Sequence, residues 1–240
     1  MTQAKPALSF LRAHFITILY LAMFIVWVFG FDAFKEFLVT WFPGRLDLIS
    51  RTPLPELALQ HLQLVALSTG ASILVSLLFG IAVHLSRSVE LESLVLGGGS
   101  ILETIPSAAI IALSVPLLGY GNSPVLLALW VYAILPVLRN VIVGLRNLPP
   151  AVIEAAQGVG MTPFQRLIHV ELPLARPMIM AGIKTALVIN ISVATIGATV
   201  GAGGFGVPII AGIRTFDSLR VLQGSVAVIL LALFTEHVLR

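Results

Sequence analysis

The sequence contains no cysteine. Disulfides, a thiolate nucleophile and a cysteine-ligated metal are therefore excluded. Charge is scarce: Asp, Glu, Lys and Arg make up 10% of the 240 residues, against about 25% in a soluble domain. The five histidines stand at positions 14, 61, 84, 169 and 237. None is four residues from another, which removes the two-histidine helical zinc motif, and no metal site is expected. Nucleophile elbows, glycine-rich loops followed by lysine, and paired catalytic carboxylates are also missing. What remains is hydrocarbon. Hydrophobic residues make up 58% of the chain, and mean hydropathy is +1.04. A soluble globule of this composition would have too little polar surface to cover itself. Disorder, a collagen-like repeat and a nucleic-acid-binding surface are excluded as well. The remaining class is an all-α, polytopic helical membrane protein.

A helix needs about 20 apolar residues to cross a bilayer. The runs 15–31, 62–85, 94–118, 125–145, 177–200 and 221–239 meet that length approximately, giving about six transmembrane helices. The first run follows Lys5 and Arg12, as in a signal peptide, but no small-x-small cleavage site follows Phe31; it is read as a retained span. Residues 32–60 hold Pro43, Pro53 and Pro55 and read as an extramembrane linker. In the second run Ser68, Ser72, Ser76 and Gly80 recur every four residues. That spacing makes a narrow stripe against which a neighbouring backbone can pack closely.

An even number of spans puts both termini on one side. With the termini inside, Lys5, Arg12, Arg87, Arg139, Arg146, Arg166, Arg176, Lys184 and Arg240 fall on the inner side. Lys35, Arg45, Arg51, Arg214 and Arg220 fall outside. The excess of basic residues inside favours cytoplasmic termini, and it places the polar stretch 146–176 in the cytoplasm.

Residues 147–173 read NLPPAVIEAAQGVGMTPFQRLIHVELP. Pro149–Pro150 ends one helix, and Ala151–Gln157 is long enough for about two turns of another. Gly158 and Gly160 stop it. Thr162–Pro163–Phe164–Gln165 has the composition of a capping box with proline at the first helical position. The helix so begun is expected to end near Leu172, with Pro173 turning the chain back to the membrane. Ala155 and Ala156 are small enough to admit a partner, and Glu154 offers it a charge. An amphipathic hairpin lying on the membrane surface accounts for the same spacing.

Glu154–Ala155–Ala156, Gly160 and Val170–Glu171–Leu172–Pro173 together resemble the EAA loop of ABC-importer permeases. Further stretches are similar to the permeases of osmoprotectant importers for glycine betaine, choline and related quaternary ammonium compounds. They are TIPSAAIIALSVPLLGYG (104–121), LPVLRN (135–140), VELPLARPMIMAGIKTA (170–186) and GAGGFG (201–206). The resemblance implies two parts: an N-terminal helix and extracytoplasmic linker over 1–56, and a permease core over 57–240 with its cytoplasmic loop at 147–173. It also implies that Glu154, Ala155, Ala156 and Gly160 couple the chain to a separate ATPase subunit, where ATP and Mg would reside; no cofactor is expected in this chain. The other implied partners are a second permease, identical or homologous, and an extracytoplasmic substrate-binding protein. The implied setting is the bacterial cytoplasmic (inner) membrane, and the implied mechanism alternating access. Many relatives have Gln where Glu103 stands.

Single residues carry further expectations. An acidic residue inside a span should face the bundle interior or an aqueous cavity. Glu103 can thus line a translocation pathway with Pro106 beside it, or pair with a neighbour. Asn190, Ser192, Thr195 and Thr199 give the fifth span a polar character. Interhelical hydrogen bonding and contact with a solute in the pathway both account for them. GAGGFG satisfies the dinucleotide-binding consensus, but it follows a membrane helix rather than a strand. Gly201, Gly203, Gly204 and Gly206 instead suit a tight turn or re-entrant segment near an outer gate, where the resemblance puts the binding protein. Trp41 and Tyr120 fit an interfacial belt, while the aromatics as a group are chemically suited to caging a quaternary ammonium. An importer of another small solute, such as methionine, an amino acid or another betaine, would use the same loop. A stand-alone ion-coupled carrier would need ionisable pairs near the midplane, of which Glu103 is the one hint. An intramembrane enzyme would need a catalytic constellation that the sequence lacks.

Overall fold

A computed structural model describes residues 5–41 and 52–239. Every regular element among them is helical. The long ones are α1 (Lys5–Trp41), α2 (Leu54–Ser86), α5 (Asn122–Arg146), α8 (Leu172–Val193) and α10 (Ser218–Val238). Between α2 and α5 lie two helices, α3 (Val89–Thr104) and α4 (Ser107–Leu118), which meet at 88° as a broken span or a re-entrant segment. Short helices α6 (Pro150–Gly158), α7 (Pro163–Arg166) and α9 (Gly206–Thr215) complete the set. Five helices are long and apolar enough to cross a membrane, or six crossings if the bent pair counts as one.

Several boundaries differ from the sequence expectation. α1 continues ten residues past Phe31, and α2 starts at Leu54. Much of the expected linker 32–60 is thus helix; residues 42–51 lie outside the described part. Pro53 and Pro55 do not break α2, because they sit at its N-terminal edge, where a missing N–H leaves no bond unmade. The expected span 94–118 is broken at Ile105–Pro106. Residues before proline are pushed out of the helical region, and Ile105 has an extended ψ of 122°. Tyr132 on α5 donates its hydroxyl to the Ile105 carbonyl freed by the break.

The centre of the bundle is α5, packed between α2 and α8. The small-residue stripe on α2 makes this possible. Ser72 Oγ donates to the Trp130 carbonyl and Ser76 Oγ to the Ile134 carbonyl, both at 2.9 Å. Gly80 faces Val141 so closely that a Cβ there would lie 2.5 Å from a valine methyl. Pro136 lies within α5 beside these contacts. Pro136 cannot donate a backbone bond of its own, and its carbonyl accepts from Asn140 Nδ2 at 2.8 Å.

Pairings between elements fix which ends lie together. His84 near the end of α2 meets Glu171, Arg146 at the end of α5 meets Glu92 near the start of α3, and Lys184 on α8 meets Glu236 near the end of α10. Tyr20 on α1 packs edge-on against His237. The segment 147–171 therefore shares one end of the bundle with the C-terminal end of α10 and the N-terminal half of α1. At the other end Gly121 N–H donates to the Val200 carbonyl, and Gly204 N–H donates to Gln60 Oε1 near the start of α2.

Candidate coupling elbow and translocation face

The elbow is built as two short helices around a glycine. Pro150 opens α6, and Gly160 follows it with φ +81°, a conformation that side-chain-bearing residues rarely adopt. Gly160 N–H donates to the Gln157 carbonyl and Met161 N–H to that of Ala156, closing the helix end. Thr162 then starts α7 with a complete capping box: its hydroxyl accepts from Gln165 N–H, and Gln165 Oε1 accepts from Thr162 N–H. Glu154 and Ala155 are exposed, whereas Ala156 is buried. The exposed pair stands near two large apolar side chains that sequence reasoning passed over, Val159 (76% exposed) and Phe164 (70% exposed). Apolar residues in so polar a stretch were the available signal.

The chain does not turn at Pro173. After α7 it continues through a π-helical turn, Leu167–Glu171, directly into α8. Pro173 falls in the first turn of α8, where proline is tolerated. The π turn makes a second arrangement that spacing did not reveal. Arg166 and Glu171 are five residues apart, which separates side chains on an α-helix but aligns them on a π turn. Arg166 Nε donates to Glu171 Oε1 at 2.5 Å, and His84 Nε2 lies 2.7 Å from Glu171 Oε2. Both carboxylate oxygens are thereby satisfied although Glu171 is buried. Beside this triad an open cavity of about 690 Å³ separates the elbow from α2 and α3; Arg87, Glu92, Arg146 and Glu154 are among its lining residues.

The expected pathway residues do not converge. Glu103 is exposed in the last turn of α3, with no ion pair among the described residues. Its carboxylate is within electrostatic range of Tyr132. Pro106 caps α4 at the break. Asn190 points into the bundle, fully buried, and donates to Thr69 Oγ1 at 2.8 Å and Ser68 Oγ at 3.2 Å. Thr195 is half-buried and returns its hydroxyl to the Ser192 carbonyl at 2.7 Å. Ser192 and Thr199 are exposed and bond their own helix in the same way.

The match to known families spans most of this architecture. Residues 72–240 fit the model of the binding-protein-dependent transport system inner membrane component. The chain belongs to that family. It is 40% identical over 191 residues to the osmoprotectant import permease protein OsmW of Salmonella typhimurium, covering 78% of this chain and 88% of that protein. Identity is 36% over 180 residues to the choline transport system permease protein OpuBB of Bacillus subtilis, covering 75% and 82%. A third relative, the osmoprotectant import permease protein OsmY of Salmonella typhimurium, is 33% identical over 224 residues, covering 93% and 89%. Among solved structures, the inward-facing MetNI methionine ABC transporter shares the fold, with a TM-score of 0.67 at 22% identity over 75% of this chain and 89% of that one.

In this inner membrane component the glycine-rich segment lies at the end opposite the elbow. α8 passes into a 3₁₀ segment, Ala194–Val200, capped by Gly201 at φ +84°. The chain then dips back, so that Gly206 lies against the Thr195 backbone with no room for a side chain. Phe205 is fully buried, its ring 5.0 Å from that of His61 and 6.0 Å from that of Phe24. α9 leads away from this point and α10 returns, with Gly224 packed on the Phe205 carbonyl. Gly203 and Gly204 adopt φ +78° and +73° against Gln60 and His61. Trp27 is engaged in the bundle, its indole N–H donating to the Gln223 carbonyl at 3.0 Å. Tyr120 is 80% exposed, and the Trp41 side chain lies outside the described residues.

Proposed function

We propose that this chain is the permease subunit of an ATP-driven importer that moves a quaternary ammonium osmoprotectant, such as glycine betaine or choline, across the cytoplasmic membrane by alternating access. The observation that carries the reading is the elbow, with Glu154 and Ala155 presented at its surface, within a chain whose relatives are named for osmoprotectant and choline transport. Glu154 and Ala155 form the docking surface for an ATPase subunit, while Ala156, buried beneath them, and Gly160 set the shape of the elbow that presents it. That subunit holds ATP and Mg and performs the hydrolysis. The elbow end faces the cytoplasm, so both termini do as well. A second permease, identical or homologous, completes the pathway. The opposite end, with Gly201, Gly203, Gly204 and Gly206, receives an extracytoplasmic binding protein.

Glu103 is the pathway residue with the clearest chemistry. It is an exposed carboxylate at the C-terminal end of α3, where the helix dipole adds partial negative charge. That combination attracts a cation. Pro106 stands at the same helix break, whereas Asn190 contributes by holding α8 against α2. The deciding experiment is uptake of labelled choline and glycine betaine into proteoliposomes holding this chain, its partner permease, the ATPase and the binding protein. ATP-dependent uptake that requires all components is expected. Uptake by this chain alone without ATP would overturn the reading.

A further inference from the structure

α2 is not adjacent in sequence to the elbow, unlike α5 and α8. The elbow's first helix, α6, packs mainly on α7, and the cavity of about 690 Å³ separates it from the ends of α2 and α3. The elbow side reaches α2 through a triad, from buried Arg166 and Glu171 to half-buried His84. At its other end α2 grips the glycine-rich segment. Gln60 Oε1 accepts from Gly204 N–H at 3.0 Å, His61 Nε2 donates to the Ile191 carbonyl at 3.1 Å, and the His61 ring packs on Phe205. His61 and His84 lie on one unbroken helix, about 35 Å apart at 1.5 Å per residue.

We infer that the Arg166–Glu171–His84 triad makes α2 a push-rod, carrying displacement of the elbow to the Gly201–Gly206 segment at the far end of the bundle. This rests on the proposed importer function and adds to it a route that the covalent path through α8 does not provide. Arg166 and Glu171 travel with the elbow because they lie on α7 and the π turn. His84 travels with α2. Charge-assisted bonds to the buried Glu171 carboxylate are short and strong, and α2 has no proline inside it at which to bend. The three residues are positioning residues: they touch neither solute nor nucleotide.

His84 is the residue to change, because Glu171 keeps Arg166 and no buried charge is stranded. The cysteine-free sequence allows a single reporter, Thr199→Cys, on an exposed residue beside the glycine-rich segment. In the reconstituted complex its labelling by a thiol reagent should change on adding ATP. In His84→Leu, and in His84→Ala as a second variant without added bulk, that change and the solute moved per ATP hydrolysed should fall about fivefold or more. ATP hydrolysis and co-purification of the subunits should persist. His84→Gln, whose amide can still donate to Glu171, should restore both. A full ATP-dependent change in His84→Leu and His84→Ala, with transport per ATP unaltered, would overturn the push-rod alone. No response to ATP in the complex carrying only the reporter would overturn the importer reading and the push-rod with it.

Discussion

Asn190 on α8 donates its side-chain amide to Thr69 Oγ1 on α2 at 2.8 Å, in a site closed to solvent. The bond joins helices 121 residues apart in sequence. Such bonds contribute only about 0.6–2 kcal/mol inside a membrane bundle. Asn190→Leu should therefore lower the melting temperature of the detergent-purified complex by a few degrees while leaving uptake per folded complex near normal. Uptake lost without any change in melting would instead place Asn190 in the pathway.

Gly80 allows α2 and α5 to touch, with Val141 in the space a side chain would occupy. Gly80→Val should destabilise the bundle by about 1–3 kcal/mol through overpacking. Thermal unfolding should show this, and Val141→Ala in the same chain should recover part of the loss. The exposed Gly70, with open space where a Cβ would stand, is the control: Gly70→Ala should have little effect.

Gly160 has φ +81° at the hinge of the elbow, so Gly160→Val is strained whatever space surrounds it. The strain is worth about 1–3 kcal/mol, too little to prevent membrane insertion but enough to misdirect the α6 helix. Co-purification of the ATPase should fall sharply while the amount of inserted chain stays the same. Glu154→Lys should give the same result by reversing the charge offered to the partner. An undiminished pull-down from both variants would remove the elbow as the docking surface.

Glu103 carries its charge at the break between α3 and α4 without an ion pair among the described residues. Glu103→Gln keeps the shape and removes the charge. Cation uptake should slow about five- to tenfold, as expected for loss of about 1 kcal/mol of attraction between partly solvated charges. Assembly and melting should stay unchanged. A neutral or zwitterionic solute should be less affected than choline, which a side-by-side uptake measurement checks.

How much was legible in the sequence depended on which forces placed each residue. The stripe of Ser68, Ser72, Ser76 and Gly80 announced a helix contact because four-residue spacing and small size are local properties. The Thr162 capping box was legible for the same reason. The Glu171 hub was not, because it depends on a π turn that shifts the helical register and on a histidine 87 residues away. The break at Ile105–Pro106 was hidden for a different reason: Pro116 lies inside α4 and Pro136 inside α5 without ending either helix, so proline alone did not mark which span would bend. Pro173 misled in the opposite sense, since a first-turn position costs the helix nothing. The polarity of Asn190 is plain in the sequence, but the direction of its side chain depends on the packing of α8 against α2.

The right angle between α3 and α4 also decides what the pair can do mechanically. A thrust arriving along α3 meets α4 side-on, so it is turned into sideways swing instead of being passed forward. Pro106, which has no amide hydrogen, and the Tyr132 hydroxyl on the Ile105 oxygen let the corner exist in hydrocarbon without stranding a polar group there. α3 and α4 therefore act on their neighbours at right angles to one another, with the corner between them held to α5.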